Sequence, residues 1–466
     1  MIGNPPWIRW GYLSDDYRKR TLDLWQRYGL FSLKGHEARL GAGEKDFSML
    51  FTYASCDNYL KEGGKLAFLI THEVFKSKGA GEGFRQFEIK DKKAPLRVTL
   101  MEDMVDLKPF QAANKTSLFV LEKGKPTSYP IPVLIWKRLP GTGAISADWP
   151  LSEVMAHTKR VEVKAVPVDP SRVNSSWQTA STSSLKFSEK MKGKNPYQAR
   201  LGARVEPYGV FWLRIKDVRP DGLLVVENMI ERGKREIPST SAAIEKDLVY
   251  PAVSGGDIVP FGVKNNFHVL ISQDPVKRLP YPESWMTTHV PLTYAYLRQF
   301  KDILLSRGSK VVRELAQKTE FYAMYGIGEY TFARYRVVWK RMASKMTAVV
   351  LSRLRTPFGL KTAISTDTTS LFSVEDEEEA HYLCGILNSK VVDEYIRSFS
   401  SAGRGFGAPS VMNNLAIPKF SSNNRTHIKI SDLSQKAHNL VTQGKEIENL
   451  QEDLNDAVER LWNIKR

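Results

Sequence analysis

The sequence predicts an α/β protein: the second half of a doubly wound sheet, then an α+β domain, then a helical C-terminal segment. Three observations predict it. A helical pattern over 46–60 leads into the continuous apolar run "KLAFLIT" (65–71), the mark of a strand buried on both faces. Two more strand candidates, "PLRVTLMEDMV" and "TSLFVLEKG", follow before residue 125. From Tyr197 to about Phe420 short β-like runs alternate with turns, and beyond them leucine and valine recur every three or four residues.

The elements follow in order. Asp46 opens the helix "DFSMLFTYASCDNYL", with Phe47, Leu50, Phe51, Ala54 and Tyr59 at helical spacing and expected to face the core. "KEGG" stops it, glycine being the usual helix terminator. Residues 126–190 are rich in Pro, Ser and Thr, and "SRVNSSWQTASTSS" reads as a linker or excursion. Further on, "GVFWLRI", "GLLVVEN" and "RYRVVW" read as strands and "PLTYAYLRQFKDILLSR" as helix. Ser431 is the expected N-cap of one long final helix. The boundaries this implies are 1–140, a linker over 141–195, a second domain over 196–425 and a C-terminal helix over 426–466. No repeat of solenoid period is present.

Composition narrows the function classes. The chain has 466 residues, 42 % hydrophobic and 11 % aromatic, which suits a folded protein rather than a disordered one. Its two cysteines, Cys56 and Cys384, are too few for a disulfide framework or a zinc site and point to a reducing compartment. No metal is expected. No apolar run is long enough for a membrane span, and no signal peptide follows Met1, so the expected location is the cytoplasm. Lys and Arg number 68 against 51 Asp and Glu, a net charge of +17 that favours polyanionic partners. The densest basic stretch, "RYRVVWKRMASKMTAVVLSRLR", offers Arg334, Arg336, Lys340 and Arg341 as candidate nucleic-acid contacts.

The sharpest motif comes first in the chain: "IGNPPWIRW", residues 2–10. Adenine's exocyclic amine is a poor nucleophile because its lone pair is delocalised into the ring. Acceptors placed against both N–H groups help to free that pair. Asn4 supplies a side-chain carbonyl, and Pro5 a backbone carbonyl whose position the ring's fixed φ restricts. Pro6 stiffens the turn. Trp7 supplies a flat face for a flipped-out base. Such chemistry is electrostatic preorganisation and requires no metal.

With these pieces in order, the first ~125 residues resemble the C-terminal part of gamma-type, class I S-adenosylmethionine-dependent adenine-N6 DNA methyltransferases, as found in type IIG restriction–modification enzymes. "GNPPW" resembles the catalytic loop, "DFSMLF…LKEGGKLAFLITHEVFKS" the next helix and strand, "FRQFEI" the start of a further helix, and "VDLKPFQAANKTSLFVLEKGK" the final hairpin. The resemblance implies a Rossmann-like sheet, adenine methylation with S-adenosylmethionine, and double-stranded DNA as partner. It implies that Asn4, Pro5, Pro6 and Trp7 form the catalytic loop and that Phe110 stacks on the second face of the target base. "YQARLGARVEPYGVFWLRI", "IEKDLVYPAVSGGDI", "FYAMYGIGEYTFARYRVVWKR", "YLCGILNSKVVDEYI" and "SVMNNLAIPKF" resemble the target recognition domain of the same enzymes.

The family's glycine-rich strand-to-helix turn and ribose-binding acid lie upstream of its catalytic loop, and this chain has neither. "GAGE" (41–44) precedes a helix but follows no convincing strand, and "GAGEG" (79–83) is separated from its strand by "HEVFKSK" with no helix clearly starting on it. The cofactor residues are therefore expected mostly outside this chain, with Asn4 at their border. A second chain or a preceding segment would supply them, and the chain would be inactive without that half. No nuclease motif is visible; acids such as those of "EDEEEAH" read as an exposed helix start. The alternatives are a non-catalytic DNA-specificity module and an RNA methyltransferase. Methylation of a protein glutamine fits the large basic second domain poorly.

Overall fold

The computed structural model describes residues 1–31, 45–77, 79–109, 115–233, 235–400 and 405–464. The chain forms two compact units, one over Met1–Lys190 and one over Met191–Arg397 that resumes towards the C-terminus.

The first unit contains strands β1 (Ile2–Gly3), β2 (Lys65–Thr71), β3 (Ala94–Asp103), β4 (Thr116–Lys123), β5 (Ile131–Arg138), β6 (Thr158–Pro167) and β7 (Trp177–Ala180), with helices α1 (Asp15–Arg27) and α2 (Phe47–Tyr59). The strands form one mixed sheet in the order β1-β2-β4-β3-β5-β6-β7. β1 runs parallel to β2, and β4 lies antiparallel between β2 and β3. β2 matches the sequence expectation: Leu66, Phe68 and Ile70 are buried. Asp46 caps α2 by accepting from the Ser48 amide.

Three expectations are corrected here. The buried stripe of α2 is Met49, Leu50, Tyr53 and Cys56, whereas Phe51 and Tyr59 are exposed. Ser48, Thr52 and Ser55 are buried along with that stripe, so the spacing of the large apolar residues alone did not choose the face. "FRQFEI" forms one short 3-10 turn, Phe84–Gln86, and a two-residue strand, Glu88–Ile89, instead of opening a helix. The expected linker over 141–195 contains β6 and β7, which extend the sheet. Trp177 is fully buried, stacked on Phe75 with ring centres 4.7 Å apart. Threonine suits a strand as readily as a linker, and the buried tryptophan decides between them.

The second unit is α+β. One sheet contains β8 (Trp212–Val218), β9 (Leu224–Asn228), β10 (Val249–Val253) and β11 (Phe267–Leu270). Another contains β12 (Tyr335–Lys340), β13 (Ala348–Leu351) and β16 (Thr369–Val374), with β12 in the middle; β14 (Arg353–Thr356) and β15 (Gly359–Thr362) form a separate hairpin. Helix α3 (Glu377–Leu387) starts at the acidic run, capped by Asp376, as its charge pattern suggested. The C-terminal segment is two helices rather than one, α4 (Arg425–Thr442) and α5 (Glu448–Leu461). The N-cap of α4 is Asn424; Ser431 lies buried inside the helix and donates to the Glu378 carbonyl. "SDLSQ" offered a serine, but the helical pattern begins a turn and a half earlier.

Candidate functional site

The Asn4–Trp7 loop leaves the carboxyl end of β1, on the strand-end side where open α/β sheets bind ligands. β1 is short, but it is not frayed. Ile2 pairs with Ala67 and Gly3 with Phe68, and the Ala67 amide donates to the Met1 carbonyl at 2.9 Å. Gly3 fits because a Cβ there would sit 3.0 Å from the Phe68 ring. Beyond the loop, the Trp10 amide donates to the Lys45 carbonyl and the Phe47 amide to the Ile8 carbonyl, both at 2.7 Å. Trp10 packs edge-on against Trp25 and Phe31 at 5.3 and 5.2 Å.

The loop is thus tied at both ends, and Trp7 ties its middle. Trp7 Nε1 donates to the Leu69 carbonyl of β2 at 3.1 Å, which sets the indole's orientation while the residue stays half-buried. Pro5 is buried; Asn4 and Pro6 are exposed. A stiff backbone holding one exposed amide beside an oriented indole can present acceptors and a stacking face to a planar heterocycle. Phe110 lies outside the described residues.

A polar cluster that the sequence reading missed lies where β2 ends. His72 is buried, with Nδ1 2.7 Å from Ser117 Oγ and Nε2 3.8 Å from Asp103 Oδ2. Burial lowers the His72 pKa, against the opposing pull of Asp103. The imidazole bridges the end of β3 to the start of β4. Lys76 is buried nearby on the next turn, and its ammonium donates to the Trp177 carbonyl and to Thr179 Oγ1; burial lowers its pKa to about 8. The only hint in the sequence is that "THEVFK" places three ionisable groups, His72, Glu73 and Lys76, directly after an apolar strand.

The cofactor turn has no stand-in in "GAGEG". A Cβ on Gly81 would meet the Val74 carbonyl at 2.2 Å, and one on Gly83 the Leu30 carbonyl at 2.5 Å. These glycines permit close packing around Arg85, whose buried guanidinium donates to the carbonyls of Val74, Ser77, Asn174 and Ser175. Residues 79–83 therefore form a close-packed run and not a phosphate-binding turn. "GAGE" lies outside the described residues.

The four candidate nucleic-acid contacts separate. Arg334 is exposed, its guanidinium 5.4 Å from the Tyr335 ring centre. Lys340 is half-buried. Arg336 is fully buried, donating to the carbonyls of Ala333, Ser352 and Ala363, and burial lowers its pKa to about 10. It has no surface to offer a phosphate, which corrects that expectation. Arg341 donates to the Asp367 carbonyl at 2.8 Å. Trp339 is buried too, bonded to the Gly407 carbonyl. β12 is a central strand covered on both faces, so its charges were not a solvated stripe. No helix among the described residues is long and apolar enough to cross a membrane.

No family model matches the chain. The type II methyltransferase M.NspV of Nostoc sp. (strain ATCC 29411 / PCC 7524) is 23 % identical over 156 residues, 33 % of this chain and 30 % of that protein. The type IIL restriction–modification enzyme MmeI, solved in complex with DNA, aligns with 100 % of this chain and 54 % of its own, with a TM-score of 0.56 at 10 % identity. The type IIG restriction endonuclease BpuSI aligns with 99 % of this chain and 53 % of its own at 13 % identity, but its TM-score of 0.32 carries no argument. The chain spans about a third of the curated relative and about half of these solved enzymes. In sequence it is similar to a type II methyltransferase, and in fold to a type IIL restriction–modification enzyme, in line with the resemblance read from its motifs.

Proposed function

We propose that the chain is the catalytic-loop and target-recognition part of an S-adenosylmethionine-dependent DNA adenine-N6 methyltransferase of a restriction–modification system. The observation that carries this reading is the Asn4–Trp7 loop, braced at the carboxyl end of a parallel strand with its indole oriented by Leu69. The Asn4 side-chain carbonyl and the Pro5 backbone carbonyl accept from the adenine amine, and Trp7 stacks on the extruded base. Phe110 is assigned to the opposite face of that base. The first unit is the partial methyltransferase domain and the second the target recognition domain, with Arg334 and Lys340 as phosphate contacts and Arg336 as a structural residue.

The methyl donor is bound mainly by residues outside this chain, in a preceding segment or a partner chain that extends the sheet at β1. Ile2 on that edge is 88 % exposed, an apolar side chain a neighbouring strand would cover. The experiment that tests the reading incubates the assembled enzyme with S-adenosylmethionine and duplex DNA, then identifies modified nucleosides by mass spectrometry. N6-methyladenine is the expected product. Methylated RNA in place of DNA, or DNA binding without any methylation, would each overturn it.

A further inference from the structure

We propose that the β14–β15 hairpin is a base-reading ribbon in which Arg353 and Arg355 enter the major groove and set part of the sequence preference. The proposal rests on the DNA reading above and names the residues that discriminate. Arg353 pairs with Thr362 and Arg355 with Leu360, so alternation puts these four side chains on one face and Leu354 and Lys361 on the other. The second face is held down. Lys361 Nζ donates to the Asp247 carbonyl at 3.1 Å and lies 4.7 Å from the Tyr250 ring centre. Phe358 at the turn packs on the core beside His268, ring centres 5.5 Å apart.

The turn itself is stapled. Thr356 Oγ1 donates to the Gly359 carbonyl at 2.6 Å and accepts from the Phe358 amide at 3.3 Å. Gly359 has φ +121°, where a side chain would be strained. The first face is left to solvent: Arg353 and Arg355 are exposed, and Leu360 is 60 % exposed. Among the described residues neither guanidinium has an ion-pair or hydrogen-bond partner. Two-stranded ribbons fit the major groove, and four residues per strand give a reach of ~13 Å.

The neighbouring cleft shows what such a ribbon would read. Arg353 and Thr362 line an open cavity of about 860 Å³ together with Glu329, Arg334, Tyr335 and Glu375. A surface built only to grip phosphates would not carry two carboxylates, which repel them. Base edges present both donors and acceptors. An arginine fork matches guanine O6 and N7, and a glutamate accepts from the cytosine amine. Duplex base edges suit this mixed set, and a rigid hairpin delivers its arginines without first having to be ordered.

The test uses the full chain and a pool of duplexes with a randomised core, selected for binding and sequenced, together with affinity for one fixed non-selected duplex across salt. The wild-type chain should select a motif containing guanine. R353Q and R355Q should each lose roughly ten- to hundred-fold preference at one base pair, with affinity for the fixed duplex staying within a few-fold. Recovery of the wild-type motif from both variants overturns the proposal. With unchanged affinity it removes the hairpin from the interface; with a uniform loss and a flatter salt slope it makes the arginines phosphate contacts. A wild-type chain that binds duplex but selects no motif overturns it as well, leaving the DNA reading standing. A wild-type chain that binds no duplex overturns both.

Discussion

Arg336 and Lys340 stand four residues apart in one basic run, but Arg336 is buried and Lys340 is half-buried. Arg336 satisfies three main-chain carbonyls in the interior. Removing it orphans those acceptors, so Arg336→Met should destabilise the fold by roughly 3 kcal/mol, read as a lower denaturation midpoint. Lys340→Glu should leave that midpoint within about 0.5 kcal/mol. It should instead weaken binding to all duplexes alike and flatten the salt slope by about one unit. Equal midpoints for Arg336→Met and wild type, or an unchanged slope for Lys340→Glu, would contradict these assignments. Such a difference is hidden from the sequence, which displays charge but not which strand is central in its sheet. The chemistry proposed for the Asn4–Trp7 loop rests on the opposite kind of signal: residue types and their adjacency, which need no tertiary context to be seen.

Among the elements, local pattern succeeded where one signal dominated and failed where two were compatible. β2 was readable because seven apolar-rich residues follow a glycine stop. β7 was not, because the serine- and threonine-rich stretch around it also suits a linker and only the stacking of Trp177 on Phe75 decides. The helix pair α3 and α4 supports a prediction of its own. His381 and His438 lie edge to face across it, ring centres 4.8 Å apart. The His438 ring is held neutral, with Nδ1–H donating to the Ser434 carbonyl and Nε2 accepting from the Val350 amide. Burial pushes both pKa values down to about 4, and the charge of His381 pushes His438 further in the same direction. In the unfolded chain both titrate near 6.5, so below that pH the unfolded state binds protons the fold refuses. Stability contributed by this pair is complete above about pH 6.5 and is lost as pH falls towards 4. Thermal unfolding should therefore show a steeper fall over that window for wild type than for a His381→Gln, His438→Gln double variant. Parallel curves would refute it.

At the scale of the whole molecule, the first unit is a sheet edged by the two-residue strand β1, from which the proposed catalytic loop leaves, and the second is the α+β unit to which we assign target recognition. The order of motifs along the chain was legible because it survives low identity; for the donor, the glycine run at 79–83 is taken up by packing around Arg85, and the proposal places its pocket mainly outside this chain. The isolated chain should accordingly show no measurable affinity for S-adenosylmethionine by calorimetric titration, and micromolar binding would mean that a donor site lies within it. The central claim is that Asn4 acts on the target amine. It is tested most directly by labelled methyl transfer from S-adenosylmethionine to duplex DNA, using the assembled enzyme with and without Asn4→Ala and measuring DNA affinity in parallel. The account predicts a loss of at least about 100-fold in transfer with DNA affinity within a few-fold of wild type. Transfer within a few-fold of wild type would contradict it.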